Sequence, residues 1–245
     1  SQNGEDGIID YILYSLQIKK PKFIEIGVGD YTESNTRFIF ETRSLKGMVI
    51  DCISNLKKQI NQGIKTWKGE LTIEEVFISS KNILDILESQ NFGKVDIFSI
   101  DIDGTDYWIL NKLERDFSNI VILEYNSVFG ENLEVTVPDI EGFSRNNYHH
   151  SNLCYGMSLK AAINLMERKN FYFLGTNNLK NNAFFISKKF SKDSYFPNLK
   201  IESIKDATTS FLSESRDQNG NLNYIKGSGK INQIKDCDVV DLKNK

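Results

Sequence analysis

The stretch Phe23-Ile-Glu-Ile-Gly-Val-Gly-Asp30 decides the fold. Apolar residues run up to Ile26 and a glycine-rich turn follows. That is the form of a buried first strand opening into the ligand crevice of an α/β sheet. Gly27 and Gly29 let the backbone bend tightly and a ligand come close. Thr32 stands where a dinucleotide fingerprint needs its third glycine. Glu25 and Asp30 flank the turn, and two carboxylates repel a pyrophosphate. They attract a cofactor that carries hydroxyls, an amino group and a cationic sulfonium. The turn therefore favours S-adenosylmethionine over a nicotinamide dinucleotide.

Working outward, strand and helix patterns alternate. Ile8, Ile9, Ile12, Leu13 and Leu16 have helical spacing, so residues 4–18 read as an amphipathic helix ending before Pro21. Ser34 or Asn35 is placed to cap a helix carrying Phe38, Ile39 and Phe40. Further strands are expected at Gly47–Asp51, Leu71–Ile78, Val95–Ile100 and Ile120–Leu123, with helices at 54–66, 83–87 and 107–113. Leu159–Met166 reads as helix, and Phe171–Leu174 with Ala183–Ile186 as a late antiparallel pair. Trp67 and Trp108 read as core or edge aromatics. Alternation of this kind predicts a mostly parallel sheet with helices on both faces, in one domain covering residues 1–245. Residues 1–20 would cover the cofactor, 127–156 would be an aperiodic acceptor-site loop, and 195–245 a polar extension.

The bulk composition narrows the function. The 245 residues carry a net charge of −3, which argues against a nucleic-acid partner. No apolar run approaches the ~20 residues of a spanning helix. Cys52, Cys154 and Cys237 are odd in number and far apart, so no disulfide framework or metal spacing is expected, and a cytoplasmic setting follows.

Ligands of such sheets sit beyond the carboxyl ends of the strands, and the acids lie there. Asp51 ends strand two, placed to accept both ribose hydroxyls. Asp101-Ile-Asp103-Gly104-Thr-Asp106 leaves strand four; its spacing fails as an EF-hand. Asp101 and Asp103 are candidates for sulfonium positioning, proton removal or cation binding, and Asp106 for a helix cap. Glu124 and Asn126 follow strand five. Asp101 with Glu124 would suit Mg²⁺ or general-base work. His149 is a further candidate base, with His150 beside it.

These residues also carry a resemblance. Ser1-Gln2-x-Gly4-Glu5-Asp6, Glu25-Ile-Gly27-x-Gly29, Ser34-Asn35-Thr36, Ser99-Ile-Asp101-x-Asp103-Gly104-x-Asp106-Tyr107, Glu124-Tyr125-Asn126 and Asn182-Ala-Phe-Phe185 together resemble bacterial class I methyltransferases distantly similar to the FkbM type. Members occur in surface-polysaccharide clusters, including those that make the methyl phosphoramidate decoration of capsules. The resemblance implies a Rossmann-like, seven-stranded sheet with its last strand antiparallel. It implies O-methylation of a small sugar-like or phosphoryl acceptor, with S-adenosyl-L-methionine as donor. Glu25, Gly27 and Gly29 would cradle the cofactor, Asp51 would hold its ribose, and Ser79 would lie near the adenine. Gln2, Asn35 and Thr36 would close over its methionine end, and Asp101 would touch it. Asp101 and Glu124 match the strand-four and strand-five ligands by which some relatives bind a divalent cation, although Tyr125 replaces their second Asp. Asn126, His150, Tyr155 and Asn182 would meet the acceptor. The expected partners are a small-molecule acceptor and, as an assembly, a second copy of the chain. The competing readings are a non-catalytic binder of the same cofactor and a nicotinamide-dependent sugar oxidoreductase.

Overall fold

The computed structural model describes residues 3–64, 68–209 and 214–243. Gln2 and Trp67 lie outside them. In chain order the first half gives α1 (Glu5–Ser15), β1 (Phe23–Ile26), α2 (Arg37–Arg43), β2 (Lys46–Asp51), α3 (Leu56–Gly63), β3 (Glu70–Glu75), α4 (Ile83–Ser89), β4 (Val95–Ile100), α5 (Asp106–Lys112) and β5 (Ser118–Glu124). A 3₁₀ turn (Ser127–Phe129) leads to β6 (Val135–Thr136), α6 (Arg145–Tyr148), α7 (Leu159–Arg168), β7 (Phe171–Thr176) and β8 (Asn182–Ser187). The chain continues with α8 (Lys192–Tyr195), α9 (Ile204–Ala207), α10 (Ser228–Gln233) and β9 (Val240–Asp241).

Seven strands form one sheet in the order β3-β2-β1-β4-β5-β8-β7. The first five pair in parallel. β8 runs antiparallel to both its neighbours. The order reverses between β1 and β4, so the ends of those strands open the crevice where such sheets bind ligands. β3 stops at Glu75, short of the expected Ile78, because β2 ends at Asp51. The amide of Val76 makes the last bond to that strand, at 2.9 Å from the Asp51 carbonyl.

Side-chain alternation assigns each strand residue to a face. Ile24, Ile26, Phe98, Ile100, Val121, Leu123, Ala183 and Phe185 share one core with α4, α5 and α7. Phe23, Val49, Ile97, Ile120, Ile122, Phe184 and Ile186 face the other, under α1 and α2. By the same alternation Glu25, Ser99, Glu124 and Asn182 belong to the α1–α2 face. They are polar, buried and at or near the carboxyl ends of β1, β4 and β5, or at the amino end of the reversed β8. Tyr125 falls on the opposite face, where its hydroxyl bonds the carbonyl of Ala207 in α9.

Residues 127–156 are more ordered than their lack of period suggests. β6 pairs with β9, so the C-terminal segment returns to this region. Val128, Phe129, Val135, Val137, Leu153 and Ile234 form a small core of their own, with Ile231 packed on it. The cysteine expectation is overturned here: Cys154 and Cys237 form a disulfide across 83 residues, leaving Cys52 free. The spacing looked unpaired because chain folding, not sequence proximity, brings the two together. Their Cα atoms lie 6.3 Å apart, within disulfide reach. None of the described helices is long and apolar enough to cross a membrane.

Candidate active site

A cavity of about 470 Å³ opens at the carboxyl ends of the strands. Its lining includes Gly27, Gly29, Asp51, Phe77, Ile78, Asp101, Asp103, Asn181 and Asn182, with Asn3 and Glu5 from the start of the chain. Both turn glycines have left-handed backbone, φ 81° at Gly27 and 55° at Gly29. Asp51 accepts the Gly29 amide at 2.8 Å through Oδ2 and the Ile53 amide at 3.1 Å through Oδ1. The turn is thereby tied to the acid that ends β2.

Glu25 is 3% exposed. One of its oxygens accepts the Asn35 amide at 2.7 Å, the other the Thr36 amide at 2.9 Å and the Thr36 hydroxyl. The cap of α2 therefore comes from this distant carboxylate. Neither Ser34 nor Asn35 caps it: Thr36 holds that position with no side-chain bond to the helix amides, and the Ser34 hydroxyl donates to the Val28 carbonyl. Asn35 turns its amide to Ser99 Oγ at 3.1 Å. Burial raises the pKa of Glu25 while these bonds oppose the shift.

Asp101, Asp103 and Glu124 converge, each offering a carboxylate oxygen within 4.8 Å of the others. Burial and the neighbouring charges of Asp103 and Asp106 push the Asp101 carboxyl up to about 8. Burial and the Asp101 charge raise Glu124 well above the usual range. Glu124 Oε2 is buried with no hydrogen-bond partner. Hard oxygens, mutual repulsion and an orphaned acceptor fit a divalent cation, with Asp103 joining the expected Asp101 and Glu124. Asp106 accepts the amides of Ile102 and Gly104, both at 3.1 Å, and so shapes the loop that presents Asp101 and Asp103.

The other expected residues are placed as follows. Ser79 follows the cavity-lining Ile78 and bonds Asn82 through its amide. Asn126 is spent on structure, donating to the Leu153 and Tyr155 carbonyls and accepting from the Val128 amide. His149 sets its ring between Ser151 and Asp236, and stacks on His150 at 4.2 Å. None of these four residues is among the described lining of the cavity. From 127–156 only Phe143 lines it.

A model of the methyltransferase FkbM domain matches residues 10–171. The chain belongs to the FkbM methyltransferase family. A search of curated proteins gave no match. Several solved methyltransferases match the chain at low identity. PKMT2 from Rickettsia typhi, in complex with AdoHcy, is 11% identical with a TM-score of 0.48, over 74% of this chain and 53% of that one. The methyltransferase domain of bacterial CtHen1 is 11% identical, TM-score 0.47, over 75% and 98%. An S-adenosylmethionine-dependent methyltransferase from Clostridium acetobutylicum is 11% identical, TM-score 0.43, over 75% and 90%. The chain thus spans about half the length of the Rickettsia protein.

Within this FkbM-family site, sequence reasoning missed Arg145. Its Nη1 meets Asp103 at 2.5 Å, its Nε donates to the Asn152 carbonyl at 2.8 Å, and its guanidinium lies 3.7 Å from the Tyr155 ring centroid. Tyr155 touches the acids through this arginine. Glu5 was also missed as a lining residue. Its signal was an acid opening an amphipathic helix, which normally reads as dipole compensation.

Proposed function

We propose that this chain transfers the methyl group of S-adenosylmethionine to an oxygen of a small sugar-like or phosphoryl acceptor. The observation that carries the reading is the charge of the cavity. Its described lining holds seven acids and no lysine, arginine or histidine. Such a wall favours a cationic donor and disfavours a diphosphate. Asp51, fixed by the turn it braces, would take the ribose hydroxyls. Phe77 and Ile78 offer an apolar wall to the adenine. Gly27 lets β1 and the Asp101 backbone close on each other, and Gly29, whose missing Cβ faces open space, would leave the turn accessible toward the methionine side.

Methyl transfer needs acceptor oxygen, methyl carbon and sulfur in line, and rigid placement of the two substrates lowers the barrier most. Glu124 and Asp101 are the groups that can take or share the acceptor proton, since burial raises both above the usual carboxylate range, Asp101 to about 8. Asp101, Asp103 and Glu124 are the residues that would hold a divalent cation. When bound, it would lower the pKa of an acceptor hydroxyl. The acceptor class, and a place in capsular polysaccharide biosynthesis, rest on the motif set Gln2 to Asn182 described above. Calorimetry with S-adenosylmethionine and S-adenosylhomocysteine tests the first half: absence of binding at millimolar ligand would overturn it. A metabolite screen with labelled donor tests the acceptor, and phosphoryl or sugar compounds should become labelled.

A further inference from the structure

The far end of the cavity from Asp51 is built by Asn3, Glu5, Asn181 and Asn182. Four strand spacings separate β2 from β8, roughly 19 Å, so an elongated ligand reaching both ends lies across the sheet. Glu5 is 1% exposed there. Its Oε1 accepts the side-chain amides of Asn177 at 2.7 Å and Asn182 at 3.4 Å, and its Oε2 the Asn3 amide at 2.9 Å. Those bonds outweigh burial and keep Glu5 below the usual carboxylate range, hence ionised. All of these donors are neutral. Among the described residues no lysine, arginine or histidine pairs with it. A buried charge opposed only by neutral amides and the partial positive charge at the start of α1 leaves much of its field uncompensated.

The second observation is Asn182. It is 6% exposed and lines the cavity, and its Oδ1 has no donor. Its amide nitrogen is turned to Glu5, which points the oxygen away from that carboxylate. Anchoring of α1 accounts for the bonds from Asn177 and Asn3. It does not account for an orphaned acceptor beside an unneutralised anion. We infer that Glu5 and Asn182 form a cation-binding corner that takes the α-ammonium of the cofactor's methionyl arm. An ammonium brings three donors and one positive charge, which satisfies both defects at once. The inference rests on the S-adenosylmethionine reading and assigns that arm its polarity: ammonium toward α1 and β8.

The test uses two ligands. S-Adenosylhomocysteine carries the amino-acid arm, and 5′-methylthioadenosine lacks it. By calorimetry Glu5→Gln should weaken S-adenosylhomocysteine about 10- to 100-fold, the loss of a charge-assisted bond. Methylthioadenosine should change by less than about twofold. Asn182→Ala, which leaves the Glu5 charge in place, should weaken S-adenosylhomocysteine about tenfold with the same selectivity. If Glu5→Gln leaves S-adenosylhomocysteine unchanged, tightens it, or weakens both ligands alike, the inference is wrong while the cofactor reading stands. If the unmodified protein binds neither ligand, both fall.

Discussion

A Cβ added to Gly27 would lie 1.6 Å from the carbonyl oxygen of Asp101. At the same residue φ is 81°, and the amide is committed to the Ile50 carbonyl at 2.9 Å. Alanine there meets both a backbone clash and a left-handed conformation, the latter alone costing about 1–2 kcal/mol. Gly27→Ala should therefore lose roughly 3 kcal/mol or more, a melting point lower by about 6–12 °C, and cofactor binding with it. Gly29 differs, because a Cβ there meets nothing within 4 Å. Gly29→Ala should lose only the strain of its left-handed backbone, about 1–2 kcal/mol or a melting point lower by about 2–8 °C, and the larger loss in Gly27→Ala separates collision from strain. Asp101 supports a second prediction at this scale. Its folded pKa, about 8, lies above the ordinary value of 3.8. The folded chain thus binds the proton that the unfolded chain has lost, and stability falls as pH rises between those values. Asp101→Asn removes that titration. In chelator the variant should melt above the parent, with a gap that widens from pH 5 to pH 8. A gap that stays constant or reverses would refute the assignment.

Elements in this chain are held by residues far from them in sequence, which is why their cores were readable and their ends were not. β4 was legible at Val95–Ile100 because apolar runs bounded by polar ends have one reading. The cap of α2 was not, because Glu25 lies ten residues upstream of Asn35 and acts across the crevice. Likewise Asp51, Asp101 and Glu124 could be placed at strand ends from periodicity, whereas Arg145 enters their circle only through a loop whose path no local pattern predicts. The consequence for Glu25 is measurable. Glu25→Ala leaves two buried amides without acceptors, each worth about 1–3 kcal/mol. The expected result is a large drop in melting point together with faster amide exchange at residues 33–40. A drop without faster exchange there would mean that Glu25 does not organise α2. α7 offers a milder case. Ser158 is fully buried, and its Oγ accepts the Ala161 amide at 3.2 Å and the Val135 amide at 3.1 Å, so one hydroxyl caps α7 and holds β6. Ser158→Ala should cost about 1–2 kcal/mol in a thermal melt.

At the scale of the whole molecule, the second small core sits beside the crevice and is closed by the end of the chain. β9 pairs with β6, the Tyr148 hydroxyl donates to the Asp238 carbonyl at 2.7 Å, and the Cys154–Cys237 bond joins the two segments. This unit carries Arg145 and Phe143, the groups that face the acid cluster and the cavity. The segment expected to be a polar extension is thus a brace for the part of the site that carries Arg145 and Phe143. Its ordering depends on few apolar residues, so the covalent link matters more than it would in the main sheet. For a bridge closing some 83 residues, the chain-entropy model assigns about 4.5 kcal/mol. Cys237→Ser, or reductant acting on the parent, should lower the stability of this unit by about that amount and leave the seven-stranded sheet folded. Limited proteolysis should then cut within 228–243 and 127–156 while S-adenosylhomocysteine affinity stays within about twofold. Arg145 held in place by the brace predicts that turnover with acceptor falls in the same variant. Loss of cofactor affinity on reduction would show instead that the brace supports the donor half of the cavity, and unchanged proteolysis would show that β6–β9 pairing and packing suffice without the bond.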